Sequence, residues 1–168
     1  ETSSEHNFGR MAHSLAHGAL MGARGNSGVI LSQLWRGFAR ALDNVEYLDG
    51  PGFVQALASA RDTAYKGVVR PVEGTILTVA KDAAAAGEQA LHETNDLVEL
   101  LDRVVQAADV SVLNTPQLLP VLKDAGVVDS GGKGYFFILE GMLRHIRGQT
   151  LDVPQAIVQS LATMNLEN

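Results

Sequence analysis

The chain has no cysteine, and that absence removes disulfides, thiolate metal sites and cysteine nucleophiles together. Aromatic residues are scarce at 5%, and β-branched runs are short. Neither feature suits a sheet-rich fold. Thirteen basic residues stand against 19 acidic ones, for a net charge of −6, and no Lys/Arg run appears in the linear sequence. A nucleic-acid footprint and a basic membrane-binding face are therefore not visible. No apolar run reaches the ~18 residues of a membrane span, and Glu1-Thr2-Ser3-Ser4-Glu5-His6 does not have the pattern of a signal peptide. These absences lead us to expect a soluble, cytoplasmic protein without a transmembrane segment. The chain opens without methionine, in polar residues that run directly into a helix, and we expect something upstream of Glu1.

What is present is helix-forming sequence. Hydrophobic residues make up 46% of 168, enough for one domain with a real core. Alanine-rich segments with a 3.6-residue period follow one another, and no convincing strand interrupts them, so the expected fold is an all-α antiparallel bundle or barrel of about seven to eight helices. The spacing predicts a first helix over 8–21, with Met11, Leu15 and Ala19 on its apolar side, together with Ala12 and Ala16. A second runs over 27–42 with Ile30, Leu31, Leu34, Trp35, Phe38 and Leu42 inward and Gln33, Arg36 and Arg40 opposite. Trp35 then reads as core. A third, from Pro51, ends before Pro71. A fourth opens at Gly74 and Thr75 and reaches about residue 87. The fifth spans 95 or 96 to 113, a short helix follows Pro116 and stops at a Gly126 cap, and another covers 135–147. A last helix begins near Pro154.

Three glycine-bearing joints punctuate this series. In Gly22-Ala23-Arg24-Gly25-Asn26-Ser27-Gly28 the glycines recur every third residue and lead straight into an apolar helix. Glycine permits positive φ and close approach to the backbone. Asn26 or Ser27 is a suitable N-cap, and the remaining N–H groups, at the positive end of the helix dipole, form a ready phosphate or carboxylate site. The spacing is neither that of a Walker loop nor that of a dinucleotide fingerprint. The same glycines also suit helix caps and close packing. The second joint is Pro71-Val72-Glu73-Gly74-Thr75, where Thr75 can cap the next helix, and the third is Asp129-Ser130-Gly131-Gly132-Lys133-Gly134. Arg24, Arg70 and Lys133 place one base near each. The joints meet at one end of an up-and-down bundle if the segment after Pro116 is not a full traverse.

In order and approximate spacing, these motifs resemble the nucleotide-binding domain of fatty acid kinases, the family related to the L subunit of dihydroxyacetone kinase (DhaL). The resemblance covers residues 12–148. It implies a helical barrel holding ATP/ADP across the loops at one end, and transfer of the γ-phosphoryl group to a fatty acid presented by a separate fatty-acid-binding carrier protein. By the same resemblance Gly25, Asn26, Ser27 and Gly28 cradle phosphates, Gly74 and Thr75 line the nucleotide site, and Asp129, Gly131 and Gly132 form its remaining wall. No catalytic residue is identified, and whether the parent forms a homodimer is left open.

One departure bears on the chemistry. Members of the family resemble one another in an Asp-Gly-Asp-Thr-Gly-Thr-Asn loop that precedes the glycine joint and holds magnesium ions. This chain contains no Asp-x-Asp, and the residues before Gly22 include Glu1 and Glu5 but no aspartate. Phosphoryl transfer leans on metal ions to neutralise phosphate oxygens, so the Mg²⁺ expected of a complete member finds no ligands here. The domain, spanning 1–168, is expected to lack that metal-binding segment. A non-catalytic nucleotide- or lipid-binding helical module is therefore the alternative reading. His13 and His17 share a helical face, yet no Glu falls between them in the His-Glu-x-x-His manner and no third ligand is apparent.

Overall fold

The computed structural model describes residues 7–149. Within them the chain forms seven α-helices: α1 (Phe8–Gly22), α2 (Gly25–Ala41), α3 (Gly50–Lys66), α4 (Ile76–Ala90), α5 (Leu97–Leu118), α6 (Pro120–Ala125) and α7 (Ser130–Ile146). No strand occurs among the described residues, and the all-α expectation holds. The helix predicted near Pro154 lies outside them.

Chain neighbours pack against one another from α1 through α5, and α7 closes onto α4 and α5. The core they enclose mixes large side chains with many alanines. Phe53, Leu77, Leu100, Leu101 and Val104 are essentially sealed, beside Ala56, Ala80, Ala83 and Ala84. Small residues let the helices approach closely: Gly87 packs between Val54 and Val104, where an added Cβ would be tight against both. The aromatic residues contribute an edge-to-face run, Trp35 on Phe38 at 5.6 Å and Phe38 on Phe53 at 6.4 Å between ring centres. Such pairs add ~0.5–1.5 kcal/mol beyond their burial.

Four sequence expectations are corrected. On α1 it is Gly9, Ala12 and Ala16 that are buried, whereas Met11 and Leu15 remain 49% and 47% exposed. The small face seats against α2, and the bulky face borders an apolar groove of about 690 Å³ lined also by Trp35, Ile138, Met142 and Ile146. Helix α2 starts two residues early, at Gly25. Helix α7 starts at Ser130 rather than 135, because Asp129 caps it. Finally, α5 continues through Pro116 to Leu118. Proline lacks the N–H that would reach the carbonyl of Val112, but the Thr115 hydroxyl donates to that same oxygen at 2.7 Å. The vacated acceptor is satisfied and the helix survives.

Helix α6 is only six residues long, about 9 Å of rise. It is not a traverse. Gly126, in the left-handed region with φ 66°, ends it as expected. The start of α7 therefore falls beside the end of α5, at the same end of the bundle as the starts of α2 and α4.

Candidate functional site

Contacts at that end run continuously from one joint to the next. At the first, Gly25 has φ +63° and open space around it, and Arg24 is the N-cap in extended conformation with no side-chain cap bond. Asn26 and Ser27 thus sit inside the first turn, not at the cap. The reason is the glycine: a left-handed Gly25 makes the turn itself and moves the helix start ahead of both candidates. Both side chains are exposed and make no hydrogen bond among the described residues. Gly28 lies against Ala23, whose Cα an added Cβ would meet at 3.3 Å.

The start of α7 abuts this turn. A Cβ on Gly131 would lie 2.9 Å from the Ser27 hydroxyl oxygen, and one on Gly132 would lie 2.8 Å from Val79 of α4. The carboxylate of Asp129 accepts from the Gly132 N–H at 2.6 Å, and its own N–H donates to Thr115 Oγ1 at 3.0 Å. Thr115, fully buried near the end of α5, thus ties the α7 start to the α5 end.

The second joint is anchored to the same place. Gly74 is buried with φ +80°, and a Cβ there would press on Leu119 Cβ at 2.8 Å and the Thr115 carbonyl oxygen at 2.9 Å. Only glycine meets both the backbone geometry and the space. Its N–H donates to Thr78 Oγ1 at 2.8 Å. Thr75 is the N-cap of α4, as predicted, accepting from the Leu77 N–H and donating to the Val72 carbonyl at 2.8 Å. The candidates Ser27, Gly131, Asp129 and Gly74 are therefore linked through Thr115, with Gly25, Asn26, Gly28, Thr75 and Gly132 immediately adjoining in the chain.

Sequence reasoning missed one polar cluster beside this site. Glu73 accepts from the hydroxyls of Thr78 at 2.7 Å and Tyr65 at 3.1 Å, and from Lys81 Nζ at 2.7 Å. The Lys81 bond, chiefly, holds the Glu73 carboxyl below the usual carboxylate range, and Glu73 in turn raises Lys81. Burial, then the Glu73 charge, pushes the Tyr65 phenol up. The partners lie 5 and 8 residues after Glu73 and 8 before it, spacings that no single helical face explains, so the sequence carries no signal for the cluster. Thr115 was equally silent.

The bases near the joints are not equivalent. Lys133 is engaged elsewhere, 3.3 Å from Asp109 and 4.2 Å above the Phe136 ring. Arg24 donates to the carbonyls of Ala23 and Met21. Arg70 is exposed. His13 bonds Asp43 through Nε2, so it faces the α2–α3 connection.

For an anion the fit is good: an uncapped helix start with a left-handed glycine and no obstructing side chain. For magnesium the described residues do not fit. Glu73 is already bonded to Lys81 and two hydroxyls, Asp129 is spent in part on its cap, and no three His, Asp or Glu side chains gather in any one place among the described residues. No helix of the described residues is long and apolar enough to cross a membrane.

Known proteins carry related sequence. Over residues 1–144 the chain matches the DAK2 domain family. It is 49% identical to Protein YloV of Bacillus subtilis across 158 residues, 94% of this chain and 28% of that protein. It is 45% identical to an uncharacterized protein of Staphylococcus saprophyticus across 168 residues, all of this chain and 30% of the other. A third relative, from Staphylococcus haemolyticus and also uncharacterized, is 47% identical over 152 residues, 90% of this chain and 28% of its own length. The chain thus spans under a third of the curated relatives it matches. Membership supports a kinase-associated, nucleotide-binding role, and we conclude that the chain belongs to the DAK2 domain family.

Proposed function

We propose that this chain is the ATP-binding domain of a kinase whose parent transfers the γ-phosphoryl group to a fatty acid held by a separate lipid-binding carrier protein. The observation that carries the reading is the uncapped start of α2, set against the capped start of α7. First-turn N–H groups, the α2 dipole and the left-handed Gly25 bind phosphate oxygens. Asn26 and Ser27 add side-chain donors. Asp129 and Thr115 hold Gly131 and Gly132 as a wall, and Gly74 keeps the second joint close to it. In the transfer, the bond between the γ-phosphorus and the β–γ bridging oxygen breaks and a bond to a carboxylate oxygen of the acid forms, leaving ADP and an acyl phosphate. The residues on hand bind and orient the donor, and no step is assigned to a metal they do not ligate.

A calorimetric titration of the chain with ATP, with and without magnesium, tests this reading. Saturable binding that Gly25→Val weakens supports the cradle. Heat of dilution alone, in both conditions, overturns it. The alternative, a non-catalytic nucleotide- or lipid-binding module, draws on the lack of a magnesium ligand set among the described residues. Phosphoryl transfer by the full-length parent with magnesium and a loaded carrier would exclude it.

A further inference from the structure

Charge pairing is uneven over the surface. Arg61, Lys81, Arg103, Lys133, Arg144 and Arg147 each have a carboxylate within 4.0 Å. Arg36 and Arg40 of α2 and Lys66 at the end of α3 have none among the described residues, and all three are exposed. They line one groove of about 590 Å³ between α2 and α3. Asp62, the one carboxylate lining it, is bonded to Arg61 at 2.8 Å. Arg70, likewise exposed and without a carboxylate partner, follows Lys66 by four residues in the segment that leads to Glu73 and Gly74. A chain of net charge −6 thus brings three cations without a carboxylate partner into one groove, where the linear sequence shows no cluster.

We propose that this groove docks an acidic segment of a protein partner. Arg36 and Arg40 stand one helical turn apart, with Lys66 on the facing helix. Cations carried on two helices along one groove suit the successive carboxylates of an acidic segment. Apart from Asp62 the rest of the lining is uncharged, with Gln55, Ser59 and Thr63 supplying its polar groups, and no aromatic ring is present for a base to stack on. Exposed charges of this kind steer association and fix orientation more than they add affinity. Because α2 starts at Gly25 and Gly67, at the close of α3, lies against Gln33 of α2, the groove runs along α2 in the direction of the cradle. The identification of that partner as the phosphoryl acceptor's carrier rests on the kinase reading; the acidic docking itself does not.

The test is calorimetry of the 168-residue chain with an oligoglutamate peptide at two salt concentrations, beside ATP. The expected result is peptide binding that weakens with salt, falls at least about tenfold in Arg36→Glu/Arg40→Glu/Lys66→Glu, and leaves ATP affinity unchanged. The neutral variant Arg36→Gln/Arg40→Gln/Lys66→Gln guards against misfolding and should lose affinity to a smaller extent. A charge-matched variant at Arg103, Arg144 and Arg147 should keep it. Equal peptide affinity in all variants, equal loss in the charge-matched one, or binding only to anionic vesicles or inorganic phosphate overturns the proposal. Absence of ATP binding with normal peptide binding would instead strike the cradle and spare the groove.

Discussion

The starts of α2 and α7 look alike in sequence, each a glycine-bearing turn leading into an apolar helix, yet they are built differently. Asp129 caps α7 with a 2.6 Å bond to the Gly132 N–H, whereas α2 begins at a left-handed Gly25 with no side-chain cap. One start satisfies an orphan donor of its own with the capping side chain. The other has no side-chain partner for its orphan donors, which costs helix stability and, on the proposed reading, leaves them open to an anion. The difference teaches that a glycine joint keeps its N–H groups available to a ligand only where no carboxylate or hydroxyl already occupies the helix terminus. The start of α4 falls with α7, since Thr75 caps it.

The comparison can be broken most severely at Gly74. A valine there must hold φ +80° and press on Leu119 and the Thr115 carbonyl, so chemical denaturation should show a loss of about 3 kcal/mol or more. Next comes the cap itself. Asp129→Ala should lower stability by about 1 kcal/mol, and Ser27→Ala by less than about 0.5 kcal/mol, measured the same way. If the two losses were equal, the contrast between the helix starts would fail. In ATP titrations the order should invert, with Ser27→Ala costing affinity at the cradle.

A smaller effect concerns acid stability. The folded Glu73 carboxyl titrates below its usual value of 4.5, so its contribution is complete above that value and is lost as pH falls through the depressed one. Glu73→Gln should therefore lower the thermal midpoint at neutral pH and flatten the acid limb of a stability-versus-pH curve. An unchanged acid limb would mean that the bonds from Lys81, Thr78 and Tyr65 contribute nothing net.

Much of the fold was legible because burial in a helical bundle imprints a 3.6-residue period. The α2 stripe of Leu34, Phe38 and Leu42 is buried while Arg36 and Arg40 are exposed, and Thr75 and Gly126 cap where local chemistry placed them. The α1 face was misread because hydrophobicity ranks Met11 and Leu15 above Ala12 and Ala16, whereas close helix approach selects small residues. The passage of α5 through Pro116 was hidden because Thr115 repairs the bond proline removes, and residue propensities carry no record of such a repair. Convergence of the joints depended on whether the segment after Pro116 traversed the bundle, a question of length that α6 answers. The Glu73 cluster and the basic α2–α3 groove come from tertiary placement of residues far apart in sequence, and no local pattern announces them.

The most direct test of the central claim is an amide NMR titration of the ¹⁵N-labelled chain with ATP. The account predicts saturable shifts at Gly25, Asn26, Ser27 and Gly28, with Gly131 and Gly132 following and the capped start of α4 moving least. Saturable shifts confined to other surfaces, with those amides still, would contradict it.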